Sequence, residues 1–119
     1  MAQVSKAKLS GSADGRNILV VATASAGTTI HTAVSGTTAG TFDEIWLYAY
    51  NSDTVARLLT IQFGGTTAVN DDIKVSIAPQ QGLVTLVPGL ILQNGSIVRA
   101  YAAAANVITI AGFVNSVVA

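Results

Sequence analysis

The sequence predicts an all-β fold: a single antiparallel β-sandwich or barrel, of the jelly-roll or another Greek-key kind, preceded by an extended arm. Three observations lead there. From Asn17 onward β-branched residues dominate. Gly, Asn, Asp and Pro interrupt them at short intervals, as in sandwiches and barrels. Between these breakers apolar residues recur every second position, the strand period rather than the helical one. The run Ala102 to Ala105 suits a helical turn, but Gly and β-branched neighbours isolate it. A chain of 119 residues suits one domain.

Residues 1–16 form the arm. They are rich in Ser, Ala, Gly and Lys and offer little to bury. Residues 17–119 form the body. Ile18 to Thr23 is a short apolar strand. Thr28 to Val34 alternates around His31 and stops at Ser35-Gly36. Phe42 to Tyr50 is the clearest strand: Ile45, Leu47 and Ala49 share one side, and Glu44, Trp46, Tyr48 and Tyr50 the other. Asn51-Ser52-Asp53 turns the chain into Val55 to Phe63, so these two strands are expected to form an antiparallel hairpin. Gly64-Gly65 closes it. In Asp72 to Ala78, Ile73, Val75 and Ile77 face in, while Asp72, Lys74 and Ser76 face out. Leu83 to Val87 ends at Pro88-Gly89. Leu90 to Gln93 leads into the Asn94-Gly95 turn. Ser96 to Ala102 and Asn106 to Val114 complete the set.

The composition narrows the function. Half of the residues are hydrophobic and 10% are charged, against about 25% charged in an ordinary soluble domain. A small domain exposes much of its surface, so one of this composition must cover itself with Ala, Val, Thr and Gly. Apolar surface of that kind marks contact sites. Near-zero net charge opposes association only weakly. Self-association is therefore expected. Nucleic acid is not, because a basic face is needed to displace counterions from phosphate. Membrane docking is not expected either: there is no polybasic run, and Leu83 to Leu92 falls short of the roughly 20 apolar residues of a spanning helix. No signal-peptide pattern follows Lys6 and Lys8, so synthesis in the cytoplasm is expected.

No catalytic, cofactor or metal site is read from the sequence. Cysteine is absent and His31 is the lone histidine. Nothing links His31 to Ser25, Ser35 and Asp43 as a triad would require, and it is placed on the polar or interfacial side of its strand. The pairs Asp43-Glu44 and Asp71-Asp72 are adjacent in sequence, so within a strand their members point to opposite faces. Asn70-Asp71-Asp72 and Asn94-Gly95-Ser96 read as turns. Trp46, Tyr48 and Tyr50 read as sandwich core or a subunit interface, with a sugar-stacking platform as the alternative. Arg57, Arg99 and Tyr101 also lie on strands. Paired with Asp43, Glu44 or Asp72, the arginines would set register between subunits.

Four stretches carry a resemblance: Lys8 to Arg16, Asp43 to Asn51, Leu59 to Gly65 and Val87 to Gly95. From about Lys8 to Asn115 the chain resembles small all-β virion proteins of tailed bacteriophages, found among head decoration (cement) and minor structural proteins. The resemblance implies a passive mechanical role in the virion. It implies a homo-oligomer, commonly a trimer, that clamps neighbouring capsomers against packaged DNA. The partners it implies are sister subunits and the major capsid protein or another virion protein. It also implies an N-terminal arm that adds to a sheet edge of the shell protein by main-chain hydrogen bonding. The residues expected to make these contacts are Gln3, Val4, Lys6, Lys8 and Leu9 on the arm, with Trp46, Tyr48, Tyr50, Arg57, Arg99 and Tyr101 on the body. A neck, collar or tail protein, or a carbohydrate-binding sandwich module on the Trp46 face, is the alternative.

Overall fold

The computed structural model describes residues 2–119; Met1, the first residue of the expected arm, lies outside them. Nine strands and no helix occur among the described residues: β1 Gln3–Lys8, β2 Ile18–Leu19, β3 Thr28–Thr32, β4 Phe42–Asn51, β5 Arg57–Phe63, β6 Asp72–Ile77, β7 Val84–Leu92, β8 Ile97–Ala102 and β9 Ile108–Val118. They build two antiparallel sheets. Sheet A has the order β1-β9-β4-β7, with β2 also paired to β9; sheet B has the order β3-β8-β5-β6.

The topology is a jelly roll. The hydrogen-bonded pairs β2·β9, β3·β8, β4·β7 and β5·β6 fall alternately in sheets A and B. The chain is thus one long antiparallel ribbon, doubled back at the β5–β6 connection and wrapped around a single core. Period-two patterning drives the wrapping, because each strand presents one apolar face to be covered. From sheet A come Ile45, Leu47, Ala49, Ile108, Ile110 and Val114; from sheet B come Ile30, Leu59, Ile61, Ile77, Val98 and Ala100. All are buried in one cluster.

Several expectations are corrected. The strand after Asn51 does not return beside β4. It begins at Arg57 and lies in sheet B, so the expected hairpin does not exist. The apolar faces of β4 and β5 meet across the core, and a period of two does not distinguish stacking from pairing. The side chain of Asn51 supports this crossing. Its amide donates to the carbonyls of Val55 and Ile77 at 2.9 Å each, and its oxygen accepts from the Asp53 N–H at 2.9 Å.

The segment from Leu83 to Gln93 holds one strand rather than two: β7, Val84–Leu92, runs through Pro88-Gly89 with register slips opposite Ile45/Trp46 and Leu47/Tyr48. β7 is the edge of sheet A, where a proline and bulges are tolerated and discourage further strand pairing. Ile18 to Thr23 keeps only two residues as strand, Ile18 and Leu19.

His31, expected on the polar or interfacial side of its strand, is buried inside. A register slip between Thr29 and His31 turns both Ile30 and His31 inward. Residues Gln3 to Lys8 of the expected arm are a strand on the β9 edge, paired from Gln3↔Val118 to Lys8↔Phe113, with every side chain exposed. Leu9 belongs to the core at 1% exposure. The side chains that an arm could withdraw without opening the core therefore end at Lys8.

Candidate functional site

The outward face of sheet A gathers several of the expected contact residues. In β4 the even-numbered residues point out and the odd-numbered ones in. Antiparallel register then sets rows across four strands: Lys6, Asn115, Glu44 and Ile91 in one, Lys8, Phe113, Trp46 and Pro88 in the next. Tyr48 lies opposite Ala111 and Thr85, and Tyr50 opposite Thr109. Trp46, Tyr48 and Tyr50 are half-buried on this outer face. The expectation that they pack inside the sandwich is corrected, because Ile45, Leu47 and Ala49 fill that space completely.

The rings of Trp46 and Phe113 stack with centroids 6.1 Å apart and planes 11° from parallel. The Lys6 ammonium lies 4.4 Å from the Phe113 centroid, a cation–π contact. Trp46 has Gly89 on its other flank, since β4 lies between β9 and β7. A Cβ at Gly89 would come within 2.9 Å of the indole. Lysine, phenylalanine, indole and glycine thus form a rib across β1, β9, β4 and β7. The rib fastens the first strand to the sheet.

Glu44 anchors the rib. Its Oε1 accepts from Trp46 Nε1–H at 2.7 Å and from the Asn115 amide at 3.0 Å. These two donors, the indole first, hold the carboxyl below its ordinary range. A carboxylate with a lowered folded value favours the folded chain fully above the unfolded value. That contribution disappears as pH falls through the folded value. Trp46 is the only tryptophan, so its emission reports this step. We expect an acid transition in Trp46 fluorescence with a midpoint below the ordinary 4.5, absent in Glu44→Gln. A midpoint at or above the ordinary value would contradict the assigned contacts.

Other expected contact residues lie elsewhere. Arg57 bonds Asp53 of its own chain at 2.7 Å, not Asp43, Glu44 or Asp72. The Asp53 carboxyl is held low by the Thr54 N–H first and then by the Arg57 guanidinium. Both side chains are partly exposed, so solvent screens the pair and it contributes little to stability. Arg99 and Tyr101 lie half-buried on the outer face of sheet B, opposite Gln62 and Thr60. Gln62 and Thr60 are themselves buried at 2%. The Gln62 amide holds the β2–β3 loop over this face, donating to Ser25 Oγ and accepting from the Gly27 N–H.

Two features were not legible beforehand. Phe113 and Asn115 join the rib only through the β4–β9 register, which no local signal reveals. The adjacent acids Asp43 and Glu44 do separate to opposite faces, but what each meets depends on tertiary packing: Asp43 meets His31 inside and Glu44 meets Trp46 outside.

Ten large hydrophobic side chains among the described residues are 44–82% exposed, including Val4, Val21, Val69, Leu83, Leu90 and Ile91. Compared with protein-family models, with curated proteins and with solved structures, the chain matched none.

Proposed function

We propose that this chain is a non-enzymatic structural protein of a bacteriophage particle, a capsid decoration protein that stabilises the shell through protein–protein contacts. The observation that carries the reading is the exposed apolar surface on a chain with so few charges. Aliphatic side chains at 44–82% exposure gain about 25 cal/mol for each Å² of apolar area that a neighbour removes from water. The jelly roll supports it, being an architecture shared by capsid domains, although lectins and cupins use it too. The sequence resemblance supplies the phage context. In this reading sister copies and the major capsid protein cover the apolar surface, and the molecule resides in the virion.

Light scattering on the full chain at micromolar concentration tests this. A stable homo-oligomer, a trimer in the simplest case, is expected. Removal of residues 2–8 is expected to leave the fold intact, because that segment buries no side chain, and to weaken attachment to the particle. A monomer with no affinity for undecorated shells would overturn the proposal.

A further inference from the structure

The two outer faces of the sandwich differ in how their charges are held. We propose that the outer face of sheet A is a self-association surface, which packs against the same face of a second copy. The inference deepens the reading above by naming the surface. It rests on self-association alone, not on a place in a virion.

The charged side chains on the outer face of sheet A are Lys6, Lys8 and Glu44, and each has a partner in its own chain. Lys6 lies over the Phe113 ring. Lys8 Nζ donates to the Ser12 carbonyl at 2.9 Å. Glu44 accepts from Trp46 and Asn115. Charges already paired leave water at lower cost than free ones. Most of the remaining face is apolar. Val4, Leu19 and Ile91 are 68%, 44% and 56% exposed, and half-buried Trp46, Tyr48 and Phe113 fill the middle. Sheet B is the opposite. On its outer face the register puts Arg99 beside Gln62 and Asp72, and Tyr101 beside Thr60 and Lys74. Arg99, Asp72 and Lys74 make no ion pair among the described residues. They hold that face in water, so sheet A presents the face to be covered.

The size suits a pair of copies. The ten residues of β4 at about 3.3 Å each, by four strands about 4.8 Å apart, give a face of about 30 Å by 20 Å. Two such faces remove about 1,200 Å² from water when they meet, enough for a specific interface.

The charge layout suits a second copy. β1 carries both lysines at one edge of the sheet, and β7 at the other edge carries no charge. In an isologous contact each copy meets the other through the same patch. With the two-fold axis along the strands, between β9 and β4, β1 lies over the second copy's β7, and β9 over its β4. The lysines then meet Ile91 and Pro88 instead of each other, and Phe113 meets Trp46. An axis across the strands at Trp46 would set Lys8 against Lys8, so the first arrangement is favoured.

Light scattering on the full chain reads the pairing. An even number of copies is expected: a dimer, or a hexamer where other surfaces hold trimers. Tyr48→Lys and Ala111→Glu each put an unpaired charge on a central strand of this face, and each is expected to halve the mass. Tyr101→Lys does the same on sheet B and should leave the mass unchanged. Tyr48 and Tyr101 are half-buried on outer faces, and Ala111 lies opposite Tyr48, so none of the three substitutions opens the core. The native chain supplies a second measurement. A soluble nitroxide should broaden the Tyr101 ring signals in NMR and spare those of Tyr48. A monomer, a lone trimer, an even mass that Ala111→Glu leaves intact, or equal broadening of the two tyrosines would each overturn the pairing. A trimer leaves the reading above standing, and for a monomer the affinity for undecorated shells decides it.

Discussion

Replacing Gly112 by alanine is expected to lower stability by about 3 kcal/mol, a fall in Tm of roughly 10 °C for a domain of this size. Gly112 lies in β9 opposite Leu47. A Cβ there would come within 2.1 Å of the Trp46 carbonyl oxygen and 3.3 Å of the Leu47 Cα. Both obstacles are backbone of the neighbouring central strand, so no rotamer change relieves them. β9 would have to withdraw from β4, and β4 and β9 hold the centre of sheet A and one side of the rib. Gly15→Ala is the informative control. Gly15 has φ +85° but nothing within 4 Å of an added Cβ, so its cost is backbone strain of about 1 kcal/mol. Urea denaturation followed through Trp46 separates the two. Equal losses at both positions would mean that β4 and β9 do not approach as closely as described.

Asp43→Ala is expected to cost about 3 kcal/mol. One oxygen of Asp43 accepts two hydrogen bonds inside the molecule, from His31 Nε2–H at 2.7 Å and from the Val34 N–H at 3.2 Å. Alanine leaves both donors buried and unpaired, and it removes the link that joins β4 of sheet A to β3 of sheet B. Asp43→Asn should recover part of the loss, since its amide oxygen accepts from the same two donors while its NH₂ takes the place of the unpartnered Oδ1. The order native, Asn, Ala in thermal melts is the expected result. An alanine variant as stable as the native chain would show that the buried pair contributes nothing to the fold. Such a result is known where a well-packed apolar replacement offsets a buried ion pair, but alanine leaves a cavity here.

How far the sequence could be read varies along the chain. Alternation in Phe42 to Tyr50 assigned Ile45, Leu47 and Ala49 to one face and the aromatics to the other, and the structure keeps that division. It did not say which face is the interior. Both faces are apolar enough to bury, and the smaller aliphatic residues take the narrow space between the sheets while the rings lie outside. Pro88 and Gly89 are breakers in isolation and divide β7 in the sequence, whereas an edge strand tolerates both. The interior position of His31 is not legible in the sequence, because one bulge in β3 reverses the alternation after Ile30. The rib was half visible: Trp46 stood out, but Phe113, Lys6 and Gly89 reach it from three other strands.

Breakers and period two, read from the sequence alone, determine that the chain is all-β with one core, and which residues share a strand face. They do so because turn chemistry and side-chain alternation are local properties of the backbone. The tertiary structure decides which strands pair, that β4 and β5 stack instead of pairing, that Asp43 meets His31 and that Trp46 stacks on Phe113. Those contacts join residues far apart in sequence, and they are set by how two apolar sheet faces close over each other.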